Sequence, residues 1–445
     1  MMKILHLPGE SVRGYSGKDV RDIISYFDPD LTITSNMIDF QRKKVKDDIT
    51  CEFIDLDILD GLFEKTVGNE DLIVLTKEQC LSDIDLNGDK KTIVMTDLIE
   101  EDMDPITFDY QLTNTSIIDD LEEKCIDLRL FSTSIEAGKK PTCKGQTIYG
   151  LGTSENMGDV KVPCVLTGDM PHIETLDVSK VGISAVPGLG RKFSTLLERR
   201  GISSRDDLCA CEPSDLLSCD GIGAYRSTKW ISSAKAMEDQ KVYRIQKDDL
   251  RAKHRIFIDI ETDSLNPSII WHIGIFDDDR GVYEYFLEKE PARRGRIIRR
   301  FVDHIEEIGG KDTVLLAWYG EKFDFYHLEN FIDEHSPEKK SAWDDTDKID
   351  FMKWVDDHAA LPCRSSKLEN VAMRIGYEPD LLGLDGGEVG KMYSEYMEDS
   401  KKELDWEKLK LYGKEDVMEM KYIYDRIEEA PMVYDLGDIK KVYRR

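Results

Sequence analysis

The chain of 445 residues lacks any long apolar run. None approaches the roughly 18–20 residues that cross a bilayer, so no membrane span is expected. The first residues, Met1-Met2-Lys3-Ile4-Leu5-His6-Leu7-Pro8, turn polar too soon for an export signal. Cysteine is sparse and odd in number, at nine. That count points to reduced, mostly buried thiols in a cytoplasm. Basic residues are also short, 61 against 90 acidic ones, for a formal net charge of −29. Phosphate contacts need Lys and Arg, so the whole-chain balance argues against a general nucleic-acid binder.

What is present refines this. Aromatics at 9% and hydrophobics at 40% suffice for real cores, and the length predicts two to four domains. The acid is unevenly spread. Residues 1–150 carry net −14, residues 151–300 net −1 and residues 301–445 net −14. An anionic partner is expected at the near-neutral middle third.

The overall expectation is an α/β multi-domain protein. Residues 1–178 read as an α/β domain of unknown family and role. Apolar strand-like runs recur at Ile4–Leu7, Leu72–Leu75, Thr92–Met95 and Val160–Leu166, with a helical pattern over Lys18–Tyr26. The glycine-containing loop at 9–17 stands between a strand and a helix, where a phosphate could be cradled. It matches neither the dinucleotide fingerprint nor the P-loop. Residues 179–240 read as all-helical, 241–253 as a charged linker, 254–432 as alternating strands and helices, and 433–445 as a tail.

Within 179–240 one turn occurs twice. Val186-Pro187-Gly188-Leu189-Gly190 and Cys219-Asp220-Gly221-Ile222-Gly223 both place apolar-x-Gly-apolar-Gly ahead of a helix. Glycine permits positive φ and close backbone approach, and a helix N-terminus directs N–H groups at an anion. The segment resembles a tandem helix-hairpin-helix domain, a family that holds nucleic-acid backbone. The resemblance implies that Gly188, Gly190, Gly221 and Gly223 face phosphate, assisted by Arg191, Lys192, Arg226 and Lys229. The bland alternative is a helical bundle for protein contact. Cys209, Cys211 and Cys219 fall where such a fold wants small apolar residues, so core thiols are expected rather than a metal site.

Residues 254–432 hold a carboxylate constellation. Arg255-Ile256-Phe257-Ile258-Asp259-Ile260-Glu261-Thr262 is an apolar strand carrying two acids. Residues two apart share a strand face, so Asp259 and Glu261 project together. Burying both is costly unless cations neutralise them, and hard divalent ions take oxygen ligands. Strands are expected at Trp271–Phe276 and Val282–Leu287. Thr313–Tyr319 forms another, leading to Gly320-Glu321-Lys322-Phe323-Asp324, where a helix begins. Tyr412 and Asp416, i and i+4, share one face of a later helix.

These three elements together resemble the DEDD (DnaQ-like) exonucleases of the RNase H-like mixed-sheet fold. With Lys367–Gly376 and Tyr412-Gly413-Lys414-Glu415-Asp416-Val417, they look most like the YprB-like branch. The second motif of that family usually starts with Asn, and Tyr319 stands there instead. The resemblance implies two-metal phosphodiester hydrolysis. Asp259, Glu261, Asp324 and Asp416 would hold two divalent cations, Mg²⁺ or Mn²⁺, and Tyr412 would orient the attacking water. The implied function is a metal-dependent nuclease, a 3′–5′ exonuclease trimming a single strand or 3′ end of DNA or RNA in repair or processing. The alternative is a non-catalytic nucleic-acid-binding or repair scaffold, with a protein partner on the N-terminal domain.

Two further features belong here. The densest basic run, Pro291–Arg300, has few acids nearby in sequence, and Arg293 and Arg294 are candidate phosphate contacts. Asp350 reads as a solvated acid, although in the YprB-like branch an acid there can lie near the site.

Overall fold

In the computed structural model, residues 13–16, 40, 44–50, 85–89, 104–109, 157–158, 179–180, 311, 382–385, 399–403 and 437–445 are not described. All others are. The chain divides into two compact units, Met1–Ala185 and Val186–Arg445.

The first unit packs two mixed sheets face to face. Strands Lys3–His6, Leu31–Thr34 and Glu52–Asp55 run parallel in one sheet. Strands Glu70–Leu75, Lys91–Thr96 and Arg129–Glu136 run parallel in the other. Strand periodicity sorts the side chains. Leu72 and Val74 meet Ile4, Ile33 and Val165 of the opposite sheet. Ile73 and Leu75 turn away, to Ile117, Ile118 and Leu121 of helix Ser116–Lys124. The helix expected at 18–26 spans Gly17–Phe27. Of the candidate phosphate loop, Gly9 is held against backbone: its N–H donates to Ser35 O at 2.8 Å, and a Cβ there would lie 2.0 Å from Asn36 O. That glycine serves packing. Residues 13–16 of the loop lie outside the described residues.

The second unit is built on a five-stranded sheet. Its spatial order is Val282–Leu287, Ile270–Asp277, His254–Thr262, Thr313–Ala317, Asp347–Asp350. The first three strands form an antiparallel meander, as the sequence predicts, and the last two run parallel to His254–Thr262. The central strand decides the rest. Ile256, Ile258 and Ile260 face helix Gly295–Ile308, against Ile297, Ile298, Phe301 and Ile305. Phe257 faces the other way, against Val417, Met420, Ile423 and Tyr424 of helix Trp406–Glu429. By alternation Asp259 and Glu261 fall on that second side, under the long helix.

The helix comes unusually close to the sheet at a pair of glycines. A Cβ on Gly274 would lie 2.9 Å from Gly413 O, and one on Gly413 would lie 2.4 Å from the His272 ring. This approach is what brings the turn after Gly413, with Asp416, down onto the acidic strand.

The charged stretch at 241–253 is an integral part of this unit. Tyr243–Arg244 pairs with Ala359–Ala360, and Val242, Ile245 and Leu250 are buried. Its charges misled the linker reading because three well-spaced apolar residues do the anchoring.

Replacing Gly413 by Ala gives opposite expectations from local and tertiary physics. Helix propensity alone favours Ala by about 1 kcal/mol. The contact with His272 predicts a net loss of about 1–3 kcal/mol, read as a lower midpoint in urea unfolding.

Candidate active site

Four carboxylates from separate stretches of chain converge where the central strand ends. Asp259 and Glu261 come from strand His254–Thr262. Asp416 comes from helix Trp406–Glu429, and ligand oxygens of these three lie within 4.8 Å of one another. Asp324, 3% exposed, opens helix Asp324–His335, and its Oδ1 accepts the Ile260 N–H at 3.2 Å. That bond seats it between the two strand acids along the backbone. Among the described residues, Asp259, Glu261 and Asp416 are the one His/Cys/Asp/Glu group with ligand atoms close enough to hold a metal ion.

The electrostatics are those of like charges held close together. Asp259 Oδ2 is buried and accepts no hydrogen bond. Burial first, then Asp416, Glu261 and Asp324, hold the Asp259 carboxyl well above the usual range. Burial, then Asp416 and Asp324, do the same to Glu261. Asp324 is pushed up to about 7 by burial, opposed by its backbone hydrogen bonds and aided by Asp350. Asp416 is pushed up to about 8 by burial and then by Glu369, while a hydrogen bond from Tyr412 pulls the other way. That bond fulfils the i, i+4 spacing. Tyr412 itself rises far above its usual value through burial and the surrounding carboxylates.

Two acids join the site from farther out. Glu419, three residues past Asp416, is 3% exposed, and its Oε2 accepts no hydrogen bond. Burial and Asp416 raise it well above the usual range. The i, i+3 spacing from Asp416 was the available signal. Asp350 is no solvated acid. It is buried, caps helix Phe351–His358 through Lys353 N at 3.2 Å, and acts on Asp324.

The turn into Asp324 is tight. A Cβ on Gly320 would lie 2.7 Å from the Phe325 ring, so glycine is required there. Tyr319 before it holds φ at +60°, the left-handed region that Asn adopts more readily than an aromatic residue. The position where the related motif carries Asn is thus one whose backbone suits Asn.

Both glycine hairpins form as the sequence predicts. Gly188 and Gly221 have φ of +75° and +78°. Gly190 and Gly223 are the N-caps of helices Arg191–Glu198 and Ala224–Asp239, and a Cβ on either would meet nothing within 4 Å. Leu189 and Ile222, between the glycines of each turn, are buried. Lys192 and Arg226 are exposed, and both lie over the Phe193 ring, at 5.5 and 5.1 Å from its centroid. The side chain of Arg191 lies outside the described residues.

Lys229 is different. It is 7% exposed, and its Nζ meets Ala359 O at 2.8 Å and Asp356 Oδ1 at 3.0 Å. It anchors the helix to the sheet unit and does not reach an outside phosphate. The basic run also differs from expectation. Arg293 pairs with Glu290 at 2.9 Å, Arg294 with Glu334 at 3.1 Å, and Arg296 with the buried Glu288 at 3.0 Å. Glu288 and Glu290, just before the run, and Glu334, from another helix, pair with three of its arginines.

Cys209 and Cys211 are half-buried, Cys219 is buried, and none is in a disulfide. Burial pushes the Cys209 thiol up to about 12, which favours the protonated form over a metal-binding thiolate.

Residues 256–428 match the model of the RNase_H superfamily, and this stretch is an RNase H-like domain. No curated protein matches the chain. Among solved structures, a product-bound exonuclease I shares 14% identity at a TM-score of 0.24, over 39% of this chain and 46% of that one. E. coli exonuclease I with a dA16 oligonucleotide shares 14% at 0.24, over 34% and 42%. This chain spans less than half of either structure. No helix among the described residues is long and apolar enough to cross a membrane.

Two outcomes are expected. Replacing Tyr319 by Asn relieves a left-handed aromatic residue and raises stability by about 1 kcal/mol, measured by urea unfolding. The raised carboxyls set a pH dependence. Asp324 and Asp416 bind protons more tightly folded than unfolded, so their contribution to metal-free stability is full below about pH 4 and is lost as pH rises through about 8. Millimolar Mn²⁺ should raise the melting temperature clearly at pH 8 and little at pH 5. Equal shifts at both pH values would show that the ion acts elsewhere.

Proposed function

We propose that this protein is a metal-dependent nuclease that hydrolyses phosphodiester bonds, a 3′–5′ exonuclease acting on a single strand or 3′ end of DNA or RNA. The observation that carries the reading is the convergence of Asp259, Glu261, Asp324 and Asp416, all held above their usual protonation range with no cationic partner among them. A structural ion network would supply Arg or Lys. Four carboxyls without one suit hard divalent cations, and the unpartnered Asp259 Oδ2 is a donor atom waiting for a positive charge.

These four residues would hold two ions, Mg²⁺ or Mn²⁺. When bound, the ions supply charge stabilisation for the attacking and departing oxygens. The chain's own contributions are distinct. Asp324 fixes the N-terminal end of its helix against Ile260 N. Tyr412 sits one turn before Asp416 with its hydroxyl on that carboxylate, placed to orient a water. The two hairpins, resembling a tandem helix-hairpin-helix domain, grip the strand backbone through the free N–H groups after Gly190 and Gly223, with Lys192 and Arg226 beside them. Lys229 takes no part. Arg293 and Arg294 are half-neutralised by their glutamates and contribute weakly.

The non-catalytic scaffold reading requires the acids to be merely solvated, and the burial of Asp324 and Glu261 speaks against it. The test is end-labelled digestion of single-stranded DNA and RNA with Mn²⁺ or Mg²⁺. Asp259→Ala is expected to abolish shortening from the 3′ end, EDTA to do the same to the unaltered protein, and Tyr412→Phe to slow it about 100-fold. Equal inertness of the unaltered protein and Asp259→Ala on every substrate would end the proposal.

A further inference from the structure

Glu419 is a buried acid beside the carboxylate cluster for which the proposed mechanism has no use. We infer that it is a fifth acid of the cation site, a positioning residue that acts through Asp416 and Asp259 and strengthens the hold on divalent ions without touching them. The inference rests on the cation-site reading above. It adds a residue that lies past the end of the Tyr412-x-x-x-Asp416 motif.

Contrast with its neighbours is the first support. Outside the four proposed ligands, the buried acids described in this unit are Asp277, Glu288, Asp350, Glu415 and Glu419. The first four are matched. Asp277 Oδ1 meets His254 Nε2 at 3.0 Å, and Glu288 Oε2 meets Arg296 Nε at 3.0 Å. Asp350 Oδ1 accepts the Lys353 N–H at 3.2 Å, and Glu415 Oε2 accepts the Tyr377 hydroxyl at 2.8 Å. Glu419 is the exception. It is 3% exposed, its Oε2 accepts no hydrogen bond, and no basic side chain among the described residues pairs with it. A carboxyl buried without compensation costs stability, and a positive charge arriving nearby offsets that cost.

Position is the second. Glu419 follows Asp416 by three residues on helix Trp406–Glu429, so the two are neighbours on one helix face. One turn further along that face is Ile423, part of the apolar core with Phe257. Apolar packing therefore lies beyond Glu419, and acids lie before it. After burial, Asp416 acts on Glu419 most strongly, followed by Glu369 and Glu415, and Glu419 in turn acts on Asp259. Asp259 Oδ2 also lacks a hydrogen bond, so two unpartnered carboxyl oxygens belong to one electrostatic group. Glu369 is not equivalent, because it is half-buried and has Lys367 Nζ at 3.9 Å. Glu419 is not one of the three residues whose ligand atoms lie within 4.8 Å of one another. Its action on an ion is therefore through its charge and through the carboxylates it faces. In a buried setting that charge is weakly screened, and a carboxylate behind the ligands raises their basicity toward a metal.

The test is isothermal titration of Mn²⁺ into the metal-free full chain, with the melting temperature of each metal-free variant measured alongside. Glu419→Gln keeps the shape and removes the charge. It should weaken Mn²⁺ binding about 10- to 100-fold, keep the parental number of ions per chain, and raise the metal-free melting temperature, because a buried like charge is gone. Glu419→Met, apolar and of similar length, should weaken Mn²⁺ binding in the same way. Glu288→Gln removes a buried acid that Arg296 matches. It should lower the melting temperature and leave Mn²⁺ affinity unchanged. Parental Mn²⁺ affinity in both Glu419 variants overturns the inference and leaves the cation site standing. An equal loss of affinity in Glu288→Gln also overturns it, since any buried acid would then serve. A lower melting temperature in Glu419→Gln marks a structural role and overturns it as well. A parent protein that binds no Mn²⁺ overturns both the inference and the cation site.

Discussion

The second unit of this protein depends on burying like charges at one place. Four carboxyls gather at the end of the central strand, Glu261 and Asp324 buried and Asp259 and Asp416 half-buried. Such a cluster costs stability in proportion to its ionisation. Folding tolerates it because the rest of the sheet is densely apolar: Ile256, Ile258 and Ile260 on one face, Phe257 with Val417 and Ile423 on the other. The penalty is local, and the support around it is not.

Several backbone features exist to enforce that convergence. Glycines at 274 and 413 let the long helix lie close enough to bring Asp416 over the strand. Gly320 lets the turn before Asp324 close on Phe325. Tyr319 accepts a left-handed conformation at the same turn. Around the acids, three closely packed glycines and one left-handed residue hold the geometry. The glycine hairpins follow the opposite rule. Their first glycines meet a conformational need, while Gly190 and Gly223 have open space where a Cβ would go.

Much of this was legible in the sequence because it is encoded locally. Period-two alternation placed Asp259 and Glu261 on one face, i, i+4 spacing joined Tyr412 to Asp416, and the repeated apolar-x-Gly-apolar-Gly placed both hairpins. What escaped was long-range. Asp350 looked solvated because nothing local shows that it caps a helix beside Asp324. Lys229 looked like a phosphate contact because its partners, Asp356 and Ala359, lie more than a hundred residues on. The arginine run looked free because Glu334 closes on Arg294 from another helix. Glu419 carried a helical signal, but its burial depends on tertiary packing. In the first unit four strand positions were readable, whereas the other strands and the pairing of two sheets face to face were not.

The charge distribution also acquires a physical meaning. A net −29 does not describe the surface a strand would meet. Part of the acid is the cluster itself, and much of the base is committed to internal pairs. Isothermal titration of Mn²⁺ into the metal-free full chain near pH 7.5 tests whether the cluster is a cation site. The account predicts saturable binding of two ions per chain, lost in Asp259→Ala. Absence of saturable binding, or binding unchanged by Asp259→Ala, would contradict it.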